Sequence, residues 1–132
     1  MKNIEHIGIA VKDLKLSGGL YEKLLGTHCY KTEEVVSEGV STAFFQVGDQ
    51  KIELLVATSP ESPIAKFIEK RGEGIHHIAF KVDNILAEMG RLKAEGFVLL
   101  SDVPKQGADQ KLVCFVHPKG TSGVLIELCQ DL

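Results

Sequence analysis

The feature that most restricts how this chain can fold is an internal repeat. The run His6-Ile7-Gly8-Ile9-Ala10-Val11 is matched by His77-Ile78-Ala79-Phe80-Lys81-Val82, so that His77 corresponds to His6. Farther along, Ile52-Glu53-Leu54 recurs as Ile126-Glu127-Leu128, so that Glu127 corresponds to Glu53. One unit therefore occurs twice, and each copy carries a histidine near its start and a glutamate near its end.

The length of the chain limits how the two copies can be arranged. With 132 residues it is expected to form one domain. A repeat of roughly 60–70 residues is too short to bury a good hydrophobic core alone, so we expect the copies to pack together. Module one is expected at residues 1–57, a joining helix at 58–73 and module two at 74–132.

Composition excludes several classes of function. The net charge of −3 gives no electrostatic reason to expect binding to nucleic acid or to an anionic membrane. No apolar run is long enough to span a bilayer, and the first residues lack a signal-peptide pattern, so we expect a cytoplasmic protein. The three cysteines, Cys29, Cys114 and Cys129, have no CxxC spacing and are expected to be reduced.

Hydrophobic periodicity predicts a βαβββ order in module one. Residues 4–11 alternate as a strand, and Asp13 is a plausible N-cap for a helix that ends near Leu25. We expect its buried stripe to consist of Leu16, Leu20 and Leu24 with Tyr21 beside it. Three strands should follow, at residues 28–36, 41–47 and 51–57, the last two joined by the tight turn Gly48-Asp49.

The same order is predicted for module two. Ser62 and Pro63 begin the joining helix, with Ile64, Phe67 and Ile68 inward. Strand 75–82 and helix 83–95 then repeat the opening of module one. Strands at 97–100, 111–116 and 123–130 complete an α+β fold of two tandem βαβββ modules, with residues 101–110 as a loop.

The repeated histidine and glutamate are the candidate functional residues. Glu53 and Glu127 each lie between apolar neighbours in a strand, so alternation turns each carboxylate to the opposite face. A carboxylate on an inner sheet face is costly unless it is paired or binds a metal. With His6 and His77 they form an N2O2 set, which suits one divalent ion such as Co²⁺, Ni²⁺, Zn²⁺, Mn²⁺ or Fe²⁺.

Neighbouring residues define a weaker pocket prediction. His76 competes with His77 as a ligand, but strand alternation puts the two on opposite faces, and the repeat selects His77. Thr42, Phe44 and Gln46 share the face of Glu53 if Gly48-Asp49 is a two-residue turn. His117 precedes a proline in a turn and is interpreted as a surface or substrate-loop residue.

These segments resemble the glyoxalase/bleomycin-resistance (vicinal oxygen chelate) superfamily over essentially the whole chain. Within it the chain is most similar to epimerases of methylmalonyl-CoA-type thioesters, through 4–11, 52–55, 61–67, 74–79, His117-Pro118-Lys119 and 123–128. The resemblance implies a glyoxalase-like fold whose sheets curl around a central metal site. It also implies α-proton abstraction through a metal-stabilised enolate, with Glu127 and Glu53 as catalytic residues.

The resemblance leaves other assignments open. Some similar epimerases carry an additional glutamate as a base within the segment matching 39–45, where this chain has no acid. Lys119 is a candidate contact for the carrier of the acyl thioester substrate, and a homodimer is expected. The alternatives are glyoxalase I, which is lactoylglutathione lyase, and a non-catalytic binding module of the same fold. A dioxygenase of the superfamily is disfavoured, because such enzymes typically have three protein ligands.

Overall fold

Each repeat folds as predicted into one helix and four strands. The computed structural model describes all residues, 1–132. Its β-strands are β1 (Asn3–Ala10), β2 (Lys31–Val35), β3 (Val40–Val47), β4 (Gln50–Ala57), β5 (Gly74–Lys81), β6 (Lys105–Gln106), β7 (Lys111–Val116) and β8 (Ile126–Asp131). Its α-helices are α1 (Leu14–Leu25), α2 (Pro63–Arg71) and α3 (Ile85–Ala94). The predicted α+β class with two βαβββ modules is confirmed.

The chain divides into two compact units. The first unit comprises residues 6–76, and the second unit comprises residues 1–5 together with 77–132. In the first unit the strand order is β2-β3-β4-β1, and in the second it is β5-β8-β7-β6. In each unit the histidine-bearing strand runs parallel to the glutamate-bearing strand, β1 with β4 and β5 with β8.

Helix boundaries follow from local capping chemistry. The Asp13 side chain accepts a hydrogen bond from the backbone N–H of Leu16, and Gly26 ends α1 in the left-handed conformation at φ 68°. The Ser62 side chain accepts from the N–H of Ile64 to begin α2. Asn84 caps α3 by accepting from the N–H of Ala87, so this helix begins at Ile85 rather than at the predicted residue 83.

The predicted buried stripe of α1 is wrong. Leu16, Leu20 and Leu24 are 67%, 59% and 73% exposed. The helix packs instead through Leu14, Tyr21 and Leu25, which contact the core of Val11, Ala43, Phe45 and Leu54. The predicted set of leucines and the set that is actually buried both fit a 3.6-residue period. The buried set, however, shares its helix face with Ser17, which is polar but buried. The apolar pattern therefore favoured the wrong face.

The other two helices bury the predicted residues. On α3, Ile85, Met89 and Leu92 pack against Cys114, Val116 and Leu128 in the main core of the second unit. On α2, Ile64, Phe67 and Ile68 pack against Ala10, Val40 and Leu55 in the first unit. Helix α2 therefore covers part of the sheet face that carries Glu53, because Leu55 lies two residues beyond Glu53 on β4.

The strand predictions in the second unit need two corrections. The last strand, β8, begins at Ile126 rather than at the predicted residue 123. Residues 97–100 make only an isolated bridge, Leu99 with Val116, although the N–H of Leu100 also donates to the carbonyl of Phe115. The strand of this unit that precedes β7 is β6, which lies inside the predicted loop and pairs with β7. The three cysteines are free thiols, as expected. None of the helices is long and apolar enough to cross a membrane.

Candidate active site

In the first unit, His6 and Glu53 form a buried pair on one sheet face. Glu53 lies opposite Gly8 in the parallel β1–β4 ladder, and His6 precedes Gly8 by two residues. Because alternate residues share a face, the imidazole and the carboxylate emerge side by side. His6 Nδ1 lies 3.1 Å from Glu53 Oε2, and both side chains are 6% exposed.

The second unit repeats this arrangement with His77 and Glu127. Glu127 lies opposite Ala79 in the parallel β5–β8 ladder, and His77 precedes Ala79 by two residues. His77 Nε2 lies 2.9 Å from Glu127 Oε1, with side chains 7% and 9% exposed. The two pairs therefore have equivalent strand positions but use different ring nitrogens, Nδ1 in His6 and Nε2 in His77.

Each glutamate strand has a histidine strand on one side and another strand on the other side. On that other strand, a phenylalanine pairs directly with the glutamate. Phe44 lies opposite Glu53 in the β3–β4 ladder, and Phe115 lies opposite Glu127 in the β7–β8 ladder. The Phe115 and His77 rings meet edge-on at a centroid distance of 5.8 Å. Sequence reasoning missed this pair, although the spacing from Phe44 to Phe115 equals that from His6 to His77 and could have identified it.

The first unit places the three predicted pocket residues on the face of Glu53. Thr42, Phe44 and Gln46 alternate on β3, and Phe44 is the direct partner of Glu53. Val47 pairs with Gln50 across the turn Gly48-Asp49, so the predicted two-residue connection is confirmed. Thr42 and Phe44 are buried, whereas exposed Gln46 donates its amide to the carbonyl of Gly48 at 2.8 Å.

In the second unit, His117 shares the face of Glu127, whereas Lys119 is exposed. His117 follows the end of β7 by one residue, and its N–H still donates to the carbonyl of Val98 at 2.8 Å. Alternation from Phe115 therefore places His117 on the same face. His117 Nδ1 accepts a hydrogen bond from the backbone N–H of Lys119 at 3.0 Å, which leaves Nε2 as the protonated nitrogen of the neutral ring.

His76, the competing histidine, has a different environment. Its ring meets the Phe67 ring of α2 edge-on at 5.0 Å. His76 and His77 are adjacent on β5, so they lie on opposite faces of the strand. In the structure it is His77, rather than His76, that lies beside Glu127.

The chemistry of the two pairs fits a divalent metal ion. A buried carboxylate is costly unless a cation or hydrogen-bond donors compensate it. Two donors bound at right angles to one ion at about 2.1 Å are about 3.0 Å apart. The N–O separations of 3.1 Å and 2.9 Å are compatible with that spacing, and they are also the length of a hydrogen bond between an imidazole and a carboxylate.

A charged cluster occupies the far end of the face that carries Glu127. Asp131 lies opposite Lys111 in the β7–β8 ladder, and its Oδ1 accepts a hydrogen bond from Lys111 Nζ. Its other carboxylate oxygen, Oδ2, is 3.1 Å from Lys81 Nζ. Hydrogen bonds from Lys111 and then Lys81 lower the pKa of Asp131 to about 2. These lysines are therefore paired with an acid of their own unit.

A sequence model of the Glyoxalase/Bleomycin resistance protein/Dioxygenase superfamily matches residues 5–115. The chain belongs to this superfamily. The match extends from β1 through most of β7 and includes His6, Glu53 and His77 of the two pairs.

Several relatives in this superfamily are epimerases. The ethylmalonyl-CoA/methylmalonyl-CoA epimerase of Cereibacter sphaeroides is 43% identical over 129 residues, which cover 96% of each chain. The mitochondrial methylmalonyl-CoA epimerase of Homo sapiens is 41% identical, over 96% of this chain and 73% of its own. The solved methylmalonyl-CoA epimerase of Mycobacterium tuberculosis has a TM-score of 0.94 at 33% identity, covering 98% of this chain and 88% of its own.

Two further proteins similar to this chain have a named ligand or a different named activity. A methylmalonyl-CoA epimerase solved in complex with methylmalonyl-CoA and NH4+ has a TM-score of 0.93 at 33% identity, covering 99% of this chain and 95% of its own. A probable lactoylglutathione lyase of Vibrio cholerae is 26% identical over 97% of this chain and 90% of its own. Similarity to the epimerases is therefore the greater.

Proposed function

We propose that the protein is a divalent-metal-dependent isomerase that epimerises 2-methylmalonyl-CoA-type thioesters. The observation that carries this proposal is the repeated buried pair, His6 with Glu53 and His77 with Glu127. Its 43% identity to an ethylmalonyl-CoA/methylmalonyl-CoA epimerase supports the choice of substrate class. The proposed substrate is therefore a small acyl thioester.

The four residues of the two pairs are the proposed ligands of one divalent ion. Two imidazole nitrogens and two carboxylate oxygens suit Co²⁺, Ni²⁺, Zn²⁺, Mn²⁺ or Fe²⁺, and affinity order with cellular supply selects among them. When bound, the ion would act as a Lewis acid that stabilises negative charge on the oxygens of the substrate.

Epimerisation requires a proton acceptor on one face of the α-carbon and a proton donor on the other. We assign these roles to Glu127 and Glu53. One glutamate, in its ionised form, takes the α-proton as the C–H bond breaks and becomes a carboxylic acid. The other, in its protonated form, gives its proton to the opposite face as a new C–H bond forms and becomes a carboxylate. Each carboxylate has two oxygens, so one can bind the ion while the other carries the proton.

The residues that surround each glutamate favour proton transfer. Phe44 and Phe115 flank the two carboxylates in the sheet, and Phe44 is fully buried. Apolar neighbours exclude water, which strengthens electrostatic interactions within a site. Thr42, Gln46 and His117 lie on the same faces and remain proposed pocket residues, and Lys119 remains a proposed carrier contact.

Metal analysis followed by deuterium exchange tests the proposal. We expect about one divalent ion per chain in the purified protein, and loss of that ion on dialysis against a chelator. The metal-loaded protein should exchange the α-proton of methylmalonyl-CoA with deuterium from solvent. A protein that binds a divalent ion but exchanges no α-proton from any malonyl-type thioester would contradict the proposed activity.

The alternative activity is that of lactoylglutathione lyase, which the 26% identity to the Vibrio cholerae protein keeps open. That reaction uses the glutathione hemithioacetal of methylglyoxal and requires a similar ligand set. A parallel assay on this hemithioacetal and on methylmalonyl-CoA separates the two. Failure to bind any divalent ion would instead favour a non-catalytic binding module. The homodimer and the cytoplasmic location remain predictions.

A further inference from the structure

The two units present the same six positions around their His–Glu pairs, and four of these hold similar residues. The register of the ladders equates positions on β1 with those on β5, on β3 with β7, and on β4 with β8. The equivalent pairs are His6/His77, Gly8/Ala79, Phe44/Phe115, Glu53/Glu127, Gln46/His117 and Lys51/Leu125. The last two pairs differ in chemistry, and only Lys51/Leu125 differs in formal charge.

Lys51 lies on the same face as the His6–Glu53 pair. It is the direct partner of His6 in the β1–β4 ladder and of Gln46 in the β3–β4 ladder. It precedes Glu53 by two residues, so its side chain shares the face of that carboxylate. Lys51 is half-buried, whereas Gln46 beside it is exposed, which places this row at the solvent end of the face.

The equivalent position in the second unit carries no charge. Leu125 lies one step before Ile126, the residue that pairs with Ile78 and Val116. Continuing these ladders by one step places Leu125 between His77 and His117. One His–Glu pair therefore has a lysine beside it, and the other has a leucine. The two pairs are chemically similar, but their electrostatic surroundings differ.

This asymmetry matters because a malonyl-type thioester has two different arms. One arm ends in a free carboxylate and the other in a thioester, whereas the four proposed ligands are equivalent in pairs. We propose that Lys51 binds the free carboxylate of the acyl group and thereby determines which arm lies beside His6 and Glu53. The inference rests on the proposed function and names a specificity residue for it.

Other lysines share these two sheet faces, but none of them is the ladder partner of a histidine or glutamate of the two pairs. Lys31 shares the face of Glu53, but its Nζ lies 4.6 Å from the centre of the Phe44 ring and 3.6 Å from Glu33. Lys81 and Lys111 share the face of Glu127 and pair with Asp131. Lys51 differs from them because it adjoins both members of a His–Glu pair.

Binding of two acyl-CoA compounds to Lys51→Met tests the proposal. Malonyl-CoA has the free carboxylate, and propionyl-CoA lacks it but has the same carrier. In metal-loaded protein, we expect the substitution to raise the Kd for malonyl-CoA about 10- to 100-fold, the range for one charge-assisted hydrogen bond. The Kd for propionyl-CoA should change less than about twofold, and the metal content should not change.

Two further variants separate charge from structure. Lys51→Arg keeps the positive charge and should retain most of the preference for malonyl-CoA. Lys93→Met removes a half-exposed lysine of α3 that pairs with Asp102, and it should leave both Kd values unchanged. Thermal unfolding of all three variants checks that the fold persists.

Three outcomes would overturn the inference. Equal weakening of both compounds would place Lys51 against the CoA carrier. No weakening of either would show that it contacts no part of the ligand. A wild-type protein that binds malonyl-CoA no more tightly than propionyl-CoA would show that no carboxylate subsite exists. Deuterium exchange by the wild-type protein reports separately on the proposed activity, so the two failures are distinguishable.

Discussion

Phe115 stands opposite Glu127 in the β7–β8 ladder, and its ring meets the His77 ring edge-on at 5.8 Å. One aromatic side chain therefore contacts the proposed histidine ligand while it flanks the proposed catalytic carboxylate. Mutation of a residue that orients a metal ligand typically lowers metal affinity or activity about 10- to 100-fold. Phe115 should act in this way on His77.

Phe115→Leu should weaken binding of Zn²⁺ or Co²⁺ about tenfold, the lower part of the range for such supporting contacts. The leucine keeps an apolar side chain at this position but loses the edge-on ring contact. Titration of the metal-free protein measures the effect. Phe97→Leu, in the core beside α3, is the control and should lower stability without changing metal affinity. Unchanged affinity in Phe115→Leu would contradict the orienting role.

Replacement of either glutamate by glutamine should abolish most of the proton transfer. In metal-loaded Glu127→Gln or Glu53→Gln, we expect the rate of α-deuterium exchange to fall about 10²- to 10⁴-fold, the usual contribution of a positioned acid or base. Exposed Glu34→Gln on β2 should keep the wild-type rate. A Glu127→Gln protein that retains metal and exchanges at a near-normal rate would show that the assignment is wrong.

Alanine substitution should change the stability in opposite directions at two glycines, Gly19 within α1 and Gly26 at its C-terminal end. Gly19 lies in the helix interior, and a Cβ there meets no atom within 4 Å. Gly19→Ala should raise the free energy of unfolding by about 0.5–1 kcal/mol, because glycine is a poor helix former. Gly26 adopts φ 68°, so Gly26→Ala should lower it by about 1–2 kcal/mol. Urea denaturation measures both, and equal signs would contradict the helix assignment.

Asp131 should make stability depend on acid pH. Its pKa is about 2 in the folded protein and 3.8 without its partners, so the folded value is depressed. Its stabilising contribution is therefore complete above about pH 4 and disappears as the pH falls towards 2. Because the side chain is 53% exposed, solvent screening limits this contribution to about 1 kcal/mol or less.

The measurement compares wild type with Asp131→Asn in urea at pH 7 and at pH 3. We expect a stability difference at pH 7 that narrows at pH 3 and shrinks in roughly 0.5 M NaCl, because salt screens exposed charges. Asp83→Asn is the control, since that carboxylate is 74% exposed and pairs with Lys2. If the difference in stability between wild type and Asp131→Asn were larger at pH 3 than at pH 7, the lowered pKa of Asp131 would be contradicted.

The parts of the fold that local chemistry determines could be predicted from sequence. Asp13 and Ser62 are N-caps with short acceptor side chains, and the structure shows both hydrogen bonds. The internal repeat aligned β1 with β5 and β4 with β8. Alternation then correctly placed Thr42 and Gln46 on the face of Glu53, because a two-residue turn leaves no freedom in the register of β3 and β4.

The errors arose where packing decides between two equally periodic patterns. On α1, Leu20 is exposed and Ser17 is buried. Which residues of a helix are buried depends on the face that meets the sheet, and the residue types alone do not reveal that face. Residues 97–100 look like a strand, yet the short pair at Lys105–Gln106 forms the ladder with β7. Phe44 and Phe115 were overlooked as a pair because aromatic residues in strands are common.

The N-terminal residues 1–5 belong to the second unit, although they precede the first in sequence. The N–H of Lys2 donates to the carbonyl of Lys81 at 2.9 Å. A fragment that contains residues 74–132 alone would therefore lack five residues of its own unit, and the carbonyl of Lys81 would lose its Lys2 partner. Dissection of the protein into its two sequence repeats would therefore not yield the second unit complete, because residues 1–5 would remain on the fragment that carries the first unit.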